Sequence, residues 1–255
     1  MVLVTVAVLT GRVPPNHLLD ASLTENGRHC ITRLHAADFG AVGDGRVDDG
    51  PAICRMLERI HSDRPVTLTF GTERTYRIRS SPSRYVIPLK GLENVTIDGG
   101  GSTFVLEPSL RFLDVQGSRN IVIRRLKVDY DPLPFADGVV TAVDASRRTM
   151  TVRLMNRADL PRVLGGPTQE DGEQAYFGML WGPGPYGPIS RHVWLGRVET
   201  AAEASSVVVR PSDEFTDYSG IVADRWHISL PATGIAHRRG PGECFCIRDN
   251  DTVSL

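Results

Sequence analysis

Two heptapeptides that lie 26 residues apart, Gly91–Ile97 (GLENVTI) and Gly117–Ile123 (GSRNIVI), decide the fold of this chain. Each begins with a glycine, has an asparagine three residues later, and ends in a short apolar run that is typical of a β-strand. A fixed period in the twenties indicates a solenoid, in which every repeat packs against the next one. A β-sandwich is the alternative, but its strands have no reason to repeat at this interval.

One period contains three predicted strands separated by turn residues, which fits one triangular coil of a parallel β-helix. Three further β-rich runs precede it, after Pro65. The fold class is therefore predicted to be all-β, a right-handed parallel β-helix built as a single-stranded solenoid. The predicted strands are 66–70, 75–79, 85–89, 95–97, 103–106 and 112–115.

An amphipathic helix is predicted before the first coil, from about Pro51 to Ile60. Its apolar residues have the i, i+3, i+4, i+7 spacing of one buried face, so it is expected to cap the open end of the solenoid. The face comprises Ile53, Met56, Leu57 and Ile60.

The loop before this helix is rich in glycine and aspartate, which predicts side-chain-to-backbone hydrogen bonds, with Asp48 or Asp49 as the helix cap. Asp38, Asp44, Asp48 and Asp49 could instead bind calcium, but they lack the regular ligand spacing and the terminal Glu of an EF-hand loop. No metal site and no cofactor are predicted.

The chain divides into four predicted segments: an N-terminal extension (1–35), the cap and first coils (36–138), an inserted small antiparallel β-domain (139–235), and a return to an unfinished β-helix (236–255). The inserted domain rests on a hairpin pattern and three further strand candidates. The stretch 165–188, dense in Gly and Pro, is predicted to be a long surface loop. The strand candidates are 139–143, 150–154, 193–198, 206–210 and 226–230.

Composition excludes several classes of protein. With 29 basic and 30 acidic residues, the net charge of −1 argues against binding to nucleic acid or to an anionic membrane through bulk charge. No apolar stretch is long enough to span a membrane. The four cysteines lack the paired spacing of a zinc site, and Cys244 and Cys246 are expected to pack on one side of a strand.

The candidate catalytic residues are Asp129 and Asp131. If the strand continues through both, their side chains point to one face about 6.6 Å apart, near the separation that an inverting glycosidase leaves for its water. Pro132 follows directly, so a strand that ends in an Asp-Pro turn is the structural alternative, and hydrogen bonding to a sugar is a third interpretation.

Four further residues are candidates for substrate binding. Tyr130, Trp181 and Tyr186 could stack on sugar rings, although buried aromatic residues are the more common case. Asp137 could accept hydrogen bonds from sugar hydroxyls, because an ionised carboxylate accepts through both oxygens.

The loop Asp38–Gly45 with Asp48 and Asp49 resembles the entry motif of the pectate-lyase-like right-handed β-helix superfamily. More narrowly, three segments are similar to the α-1,3-galactosidases of glycoside hydrolase family 110, which also interrupt the β-helix with a small β-barrel. The resemblance covers roughly residues 36–255. In that family the catalytic aspartates lie on later coils, which implies that they are absent from this chain. The segments are Asn94–Phe104, Asn120–Ile121 and Val128–Asp131.

The leading functional hypothesis is therefore the N-terminal part of a carbohydrate-active β-helix enzyme, an α-galactosidase-like glycoside hydrolase whose partner is an oligo- or polysaccharide. A polysaccharide lyase and a non-catalytic glycan-binding or tailspike-like β-helix are the alternatives, because many functions share this scaffold. An extracellular or periplasmic location is expected, although no basic residue precedes the apolar run Met1–Leu9. The oligomeric state is left open.

Overall fold

The structure is a computed structural model that describes residues 31–61, 64–165, 177–184, 187–212, 218, 220–232 and 245–254. The chain forms two compact units. The first comprises residues up to Asp129 together with the segment that begins at Cys244, and the second comprises Tyr130–Glu243.

Most of the described residues lie in β-strands, as the sequence predicted. The strands are β1 (Thr32–His35), β2 (Asp44–Asp48), β3 (Val66–Thr69), β4 (Thr75–Ile78), β5 (Tyr85–Lys90), β6 (Glu93–Leu106), β7 (Arg111–Gln116), β8 (Arg119–Tyr130), β9 (Phe135–Asp144), β10 (Thr149–Leu154), β11 (Phe177–Gly184), β12 (Gly187–Thr200), β13 (Ser206–Pro211), β14 (His227–Pro231), β15 (Phe245–Arg248) and β16 (Asp251–Ser254). The helices are α1 (Gly50–Leu57) and α2 (Leu160–Leu164).

The first unit is a solenoid-like stack in which each strand pairs in parallel with its equivalent in the next coil. Strands β1, β3 and the first half of β6 form one series, and β2, β4 and the second half of β6 form another. The third series is β5, β7 and β15. The stacked coils that the 26-residue period predicted are therefore present.

The two heptapeptides occupy equivalent turns of this stack. The side chain of Asn120 donates to Asn94, 26 residues earlier, at 2.7 Å. The first and fourth residues of each heptapeptide have a left-handed backbone. Glycine adopts this conformation without steric cost, and Asn or Asp adopts it more readily than other residues do. The left-handed positions are Gly91, Gly117 and Asp249 at the first site, and Asn94, Asn120 and Thr252 at the second.

After the second unit the chain returns to the stack. Phe245 pairs with Leu113, and Val253 pairs with Ile121, so β15 and β16 lie on β7 and β8. The amide of Ser118 donates to the side chain of Asn250, 132 residues later, whereas paired residues of neighbouring coils elsewhere in the described stack are separated by 26 (Tyr85 and Arg111) to 34 (Thr32 and Val66) residues.

The core of the first unit consists of inward-facing apolar residues stacked coil on coil, such as Leu68 on Ile97. An aromatic cluster reinforces it, since the Phe104 ring lies 4.8 Å from Phe70 and 5.0 Å from Phe112 between centroids. These contacts are edge-on or tilted, the arrangements that aromatic pairs prefer.

Helix α1 is shorter than predicted, because it ends at Leu57. Ile53 and Met56 are fully buried, as the spacing indicated, whereas Leu57 and Ile60 are only half-buried. The helix packs against β5. Its placement over the open end of the first coil stays a prediction.

The aspartate-rich segment makes the side-chain-to-backbone bonds that were expected, and of the two predicted helix caps, Asp48 bonds the helix and Asp49 does not. Asp49 is the N-cap residue, yet its carboxylate accepts from the Val42 amide at 2.7 Å instead of from the helix. Burial raises the pKa of Asp49. Asp48 bonds the first helical amide, that of Gly50, at 3.0 Å.

The second unit contains a closed barrel of six antiparallel strands in the order β10-β13-β12-β11-β14-β9. The predicted β9–β10 hairpin and the later strand candidates are confirmed. The barrel has its own apolar core, with Val140, Val152, Leu180 and Ile228 fully buried.

The long loop predicted over 165–188 is wrong in its second half, because β11 and β12 pair there as a hairpin. Residues 166–176, together with 185 and 186, lie outside the described part of the chain. Gly182 in this stretch allows the backbone to lie close to the buried Trp226 ring, because a Cβ at this position would lie 2.2 Å from that ring. The short helix α2 was not predicted.

Candidate functional site

The geometric argument for a catalytic pair at Asp129 and Asp131 does not hold. Strand β8 ends at Tyr130, and Asp131 lies exposed in the bend that follows. The alternation that would place both carboxylates on one face therefore stops before the second one. The observed strand ending in an Asp-Pro turn is the alternative interpretation given above, and a catalytic role for the two residues stays a prediction.

The four predicted substrate-binding residues are spread over the second unit. Tyr130 is half-buried at the end of β8, and Tyr186 lies outside the described residues. Asp137 is exposed on β9, and Trp181 leaves 46% of its surface exposed on β11. The structure brings Asp137 and Trp181 together.

These two residues are joined through a serine that the sequence did not single out. The indole N–H of Trp181 donates to Ser229 Oγ at 3.3 Å, and that hydroxyl donates to Asp137 Oδ1 at 2.5 Å. Strand register explains the proximity, because Ser229 pairs with Asp137 across β14 and β9, and His227 pairs with Trp181 across β14 and β11. All four side chains project from the outer face, since the alternate residues Leu180 and Ile228 are buried in the core.

A groove of about 360 Å³ begins at this indole. The turn that carries its charged side chains is held to the barrel by the amide of Asp224, which donates to the Val140 carbonyl at 2.8 Å. Asp224 has a left-handed backbone (φ 61°), which Asp tolerates better than most residues. The groove is lined by Trp181, Gly182, Pro183, Asp224, Arg225 and His227.

Asp98 on β6 is a buried carboxylate of the first unit with strong ionic contacts. It is 6% exposed and accepts from Arg124 Nε at 3.1 Å, from Arg125 Nε at 2.8 Å and Nη2 at 2.7 Å, and from the Gly100 amide at 3.1 Å. Burial alone would raise its pKa, but the hydrogen bonds from Arg125 and Gly100 and the two guanidinium charges outweigh burial, so the pKa of Asp98 is lowered. A carboxylate held ionised by four donors ties two coils together and is a poor general acid.

A second polar cluster lies on the β5-β7-β15 sheet. Asp114, 2% exposed, accepts from Gln116 Nε2 at 2.8 Å and lies 3.5 Å from Lys90 Nζ. Cys246 pairs with Asp114 in the neighbouring strand and is buried, as expected for a packing cysteine. Cys244 lies outside the described residues. The cluster is satisfied internally, so we assign it to the stability of the sheet.

Sequence reasoning missed Ser229, His227 and Arg225 as candidate binding residues. These residues belong to no local motif. The sequence indicates only that they lie on or beside a strand, because polar residues alternate with Ile228 and Leu230 there. Which strand lies beside β14 cannot be read from that alternation.

Comparison with known proteins links the chain to one kind of enzyme. No protein-family model matches it. It is 25% identical over 125 residues to "Alpha-1,3-galactosidase B" of Bacteroides thetaiotaomicron, which covers 42% of this chain and 20% of the relative. It is 27% identical over 125 residues to "Alpha-1,3-galactosidase B" of Parabacteroides distasonis, with 41% and 20% covered. The match therefore spans about a fifth of the length of these curated relatives.

None of the helices in the described segments is both long and apolar enough to cross a membrane.

Proposed function

We propose that the chain forms the first coils and the inserted barrel of an α-galactosidase-like glycoside hydrolase. The observation that carries this proposal is the 25–27% identity with two α-1,3-galactosidases, on a chain whose parallel strands stack coil on coil. The substrate would be an α-linked galactoside within an oligo- or polysaccharide, and the enzyme would act outside the cytoplasm, in the periplasm or the extracellular space.

The proposal includes a right-handed parallel β-helix with the pectate-lyase-like architecture for the first unit. Its support is parallel pairing between successive coils, because crossovers between parallel strands are right-handed in about 98% of cases. The six-stranded barrel is a separate element that the chain enters after β8 and leaves before β15.

Hydrolysis of such a linkage needs two carboxyl groups. One protonates the oxygen of the breaking glycosidic bond, and the other activates water or attacks the anomeric carbon. Asp98 and Asp114 are unsuited to these roles, because both are engaged in hydrogen bonds within the first unit. We place the catalytic pair in sequence that accompanies this chain, consistent with the fifth of each relative that it matches.

The test measures galactose released from galactosyl-α-1,3-galactose by two proteins. One is the 255-residue chain, and the other is a longer form that includes whatever native sequence follows Leu255. The longer form is expected to release galactose and the 255-residue chain is not. Asp129→Asn with Asp131→Asn, introduced together into the longer form, should leave release unchanged.

Three outcomes would overturn parts of this proposal. If the 255-residue chain releases galactose and the double variant abolishes release, the catalytic pair is Asp129 and Asp131. If the longer form releases no galactose but cleaves a uronate polysaccharide to unsaturated products, it is a lyase. Glycan binding without any cleavage would indicate the non-catalytic alternative.

A further inference from the structure

The groove beside Trp181 on the barrel has the composition of a sugar-binding site. A pyranose ring presents C–H groups on one face and hydroxyls around its edge, so it requires an aromatic surface together with hydrogen-bonding side chains. Trp181 supplies an aromatic side chain that is 46% exposed. Burying so large an apolar surface under a ligand is favourable, whereas leaving it in water is not.

The indole is held in one orientation. Its N–H bonds Ser229, which in turn bonds Asp137, so the ring plane is fixed before any ligand arrives. A side chain that is already ordered loses less conformational entropy on binding than a mobile one. Within the described part of the chain Asp137 uses only Oδ1, which leaves Oδ2 as an acceptor at the surface.

The charges that line the groove indicate a neutral ligand. Arg225 offers donors and Asp224 offers acceptors from adjacent positions of one turn, while His227 offers both. An anion would be repelled by Asp224 and a cation by Arg225, but a hydroxylated neutral molecule can use both groups. The volume of about 360 Å³ accommodates one monosaccharide unit with its linkage to a second.

From these observations we infer that the groove next to Trp181 binds a pyranose ring of an oligosaccharide, as a binding subsite without catalytic residues. The inference rests on the barrel alone, except that the choice of a galactoside as the probe rests on the proposed function. The binding stands on the stacking face of Trp181, with His227 and the Asp224–Arg225 turn as hydrogen-bonding partners, while Ser229 and Asp137 hold the indole in place.

The test titrates the 255-residue chain with methyl α-galactopyranoside and follows binding by ligand-observed NMR, a signal that does not depend on the altered tryptophan. The chain has three tryptophans, of which Trp226 is buried. A ligand of this size is expected to bind with a dissociation constant of about 1 mM. Trp181→Ala should weaken binding at least tenfold, and Ser229→Ala should weaken it by a smaller factor through loss of the fixed indole.

Trp194→Ala is the matched control, because Trp194 also lies exposed on the outer face but about 13 Å further along the β11–β12 hairpin by strand rise. It should bind the galactoside as the unaltered chain does. Galactitol, which keeps the hydroxyls but has no ring face, should not bind. Circular dichroism of each variant verifies that the barrel is folded.

Equal affinity of the Trp181→Ala and unaltered chains, or binding of galactitol as tight as that of the galactoside, would overturn the inference. So would the absence of saturable binding by both methyl α-galactopyranoside and methyl α-glucopyranoside. A glucoside that binds while the galactoside does not would keep the subsite and count against the galactoside specificity of the proposed function. The hydrolysis assay, which measures released product, fails or succeeds independently of these results.

Discussion

Asp98→Asn removes one charge from the interior of the first unit without changing the size of the side chain. The native carboxylate accepts four N–H groups on two oxygens, three of them from Arg124 and Arg125. An asparagine has one acceptor oxygen, and its amide would point N–H groups at guanidinium donors. About two of the four hydrogen bonds are therefore lost.

Hydrogen bonds to charged groups contribute about 1.5–3 kcal/mol each when buried. Here the two arginine side chains are 58% and 64% exposed, so water replaces part of what is lost. We expect Asp98→Asn to lower the free energy of unfolding of the first unit by about 2 kcal/mol at about pH 7.

The effect should depend on pH in one direction. The pKa of Asp98 is lowered in the folded chain relative to about 3.9 in the unfolded chain. Its stabilising contribution is thus complete above the unfolded value and is lost as the pH falls through the folded value. The difference between the unaltered chain and Asp98→Asn should therefore shrink from about pH 5 towards about pH 2.

The assay equilibrates both proteins in urea at about pH 7 and at about pH 3, pulses them with deuterium, and measures exchange in peptides from Glu93–Tyr130. The control is Asp251→Asn, which removes an exposed carboxylate 3.6 Å from Arg119 and should change stability by less than about 0.5 kcal/mol. If the two variants are equally stable, or if the effect of Asp98→Asn grows on acidification, Asp98 does not hold the coils together as an ionised group.

Two further predictions concern packing in the same unit. Gly99→Ala would place a Cβ 2.5 Å from the Cβ of Leu126 in the next coil, so it should lower the free energy of unfolding in urea by at least about 1–3 kcal/mol. Gly91→Asn changes a left-handed position with open space around it and should cost less than about 1 kcal/mol. Equal losses of stability would contradict this account of the two glycines. Ile53→Ala should lower the free energy of unfolding by about 2–4 kcal/mol, because Ile53 is fully buried in α1. Ile60→Ala should lower it distinctly less, because Ile60 is only half-buried and lies beyond the end of the helix. A lower urea midpoint for Ile60→Ala than for Ile53→Ala would show that the helix packs differently.

Much of the fold follows from the sequence through local chemistry. The left-handed turns favour Gly and Asn, so GLENVTI and GSRNIVI mark equivalent corners of two coils, and the side chains of Asn94 and Asn120 meet where the period predicts. Alternating apolar residues likewise predicted strands in each coil from β3 to β7 and five of the six barrel strands, but not β1, β2 or β11. Helix α1 was predicted from its apolar spacing, but its end at Leu57 was not.

The candidate binding site depended on the tertiary structure. Alternation determines which face of a strand a residue occupies, but not which strand lies beside it. Ser229 reaches Asp137, 92 residues away, only because the barrel closes through β14 and β9. Trp181 lies on a strand because ladder pairing with β12 outweighs the turn preference of its Gly and Pro neighbours. Asp98 meets Arg125 because one coil stacks on the next in a register set by the whole core. Local sequence thus determined the elements and their faces, whereas the neighbours of each functional side chain were decided by long-range register, which is stabilised by burial of the whole core and not by any single residue.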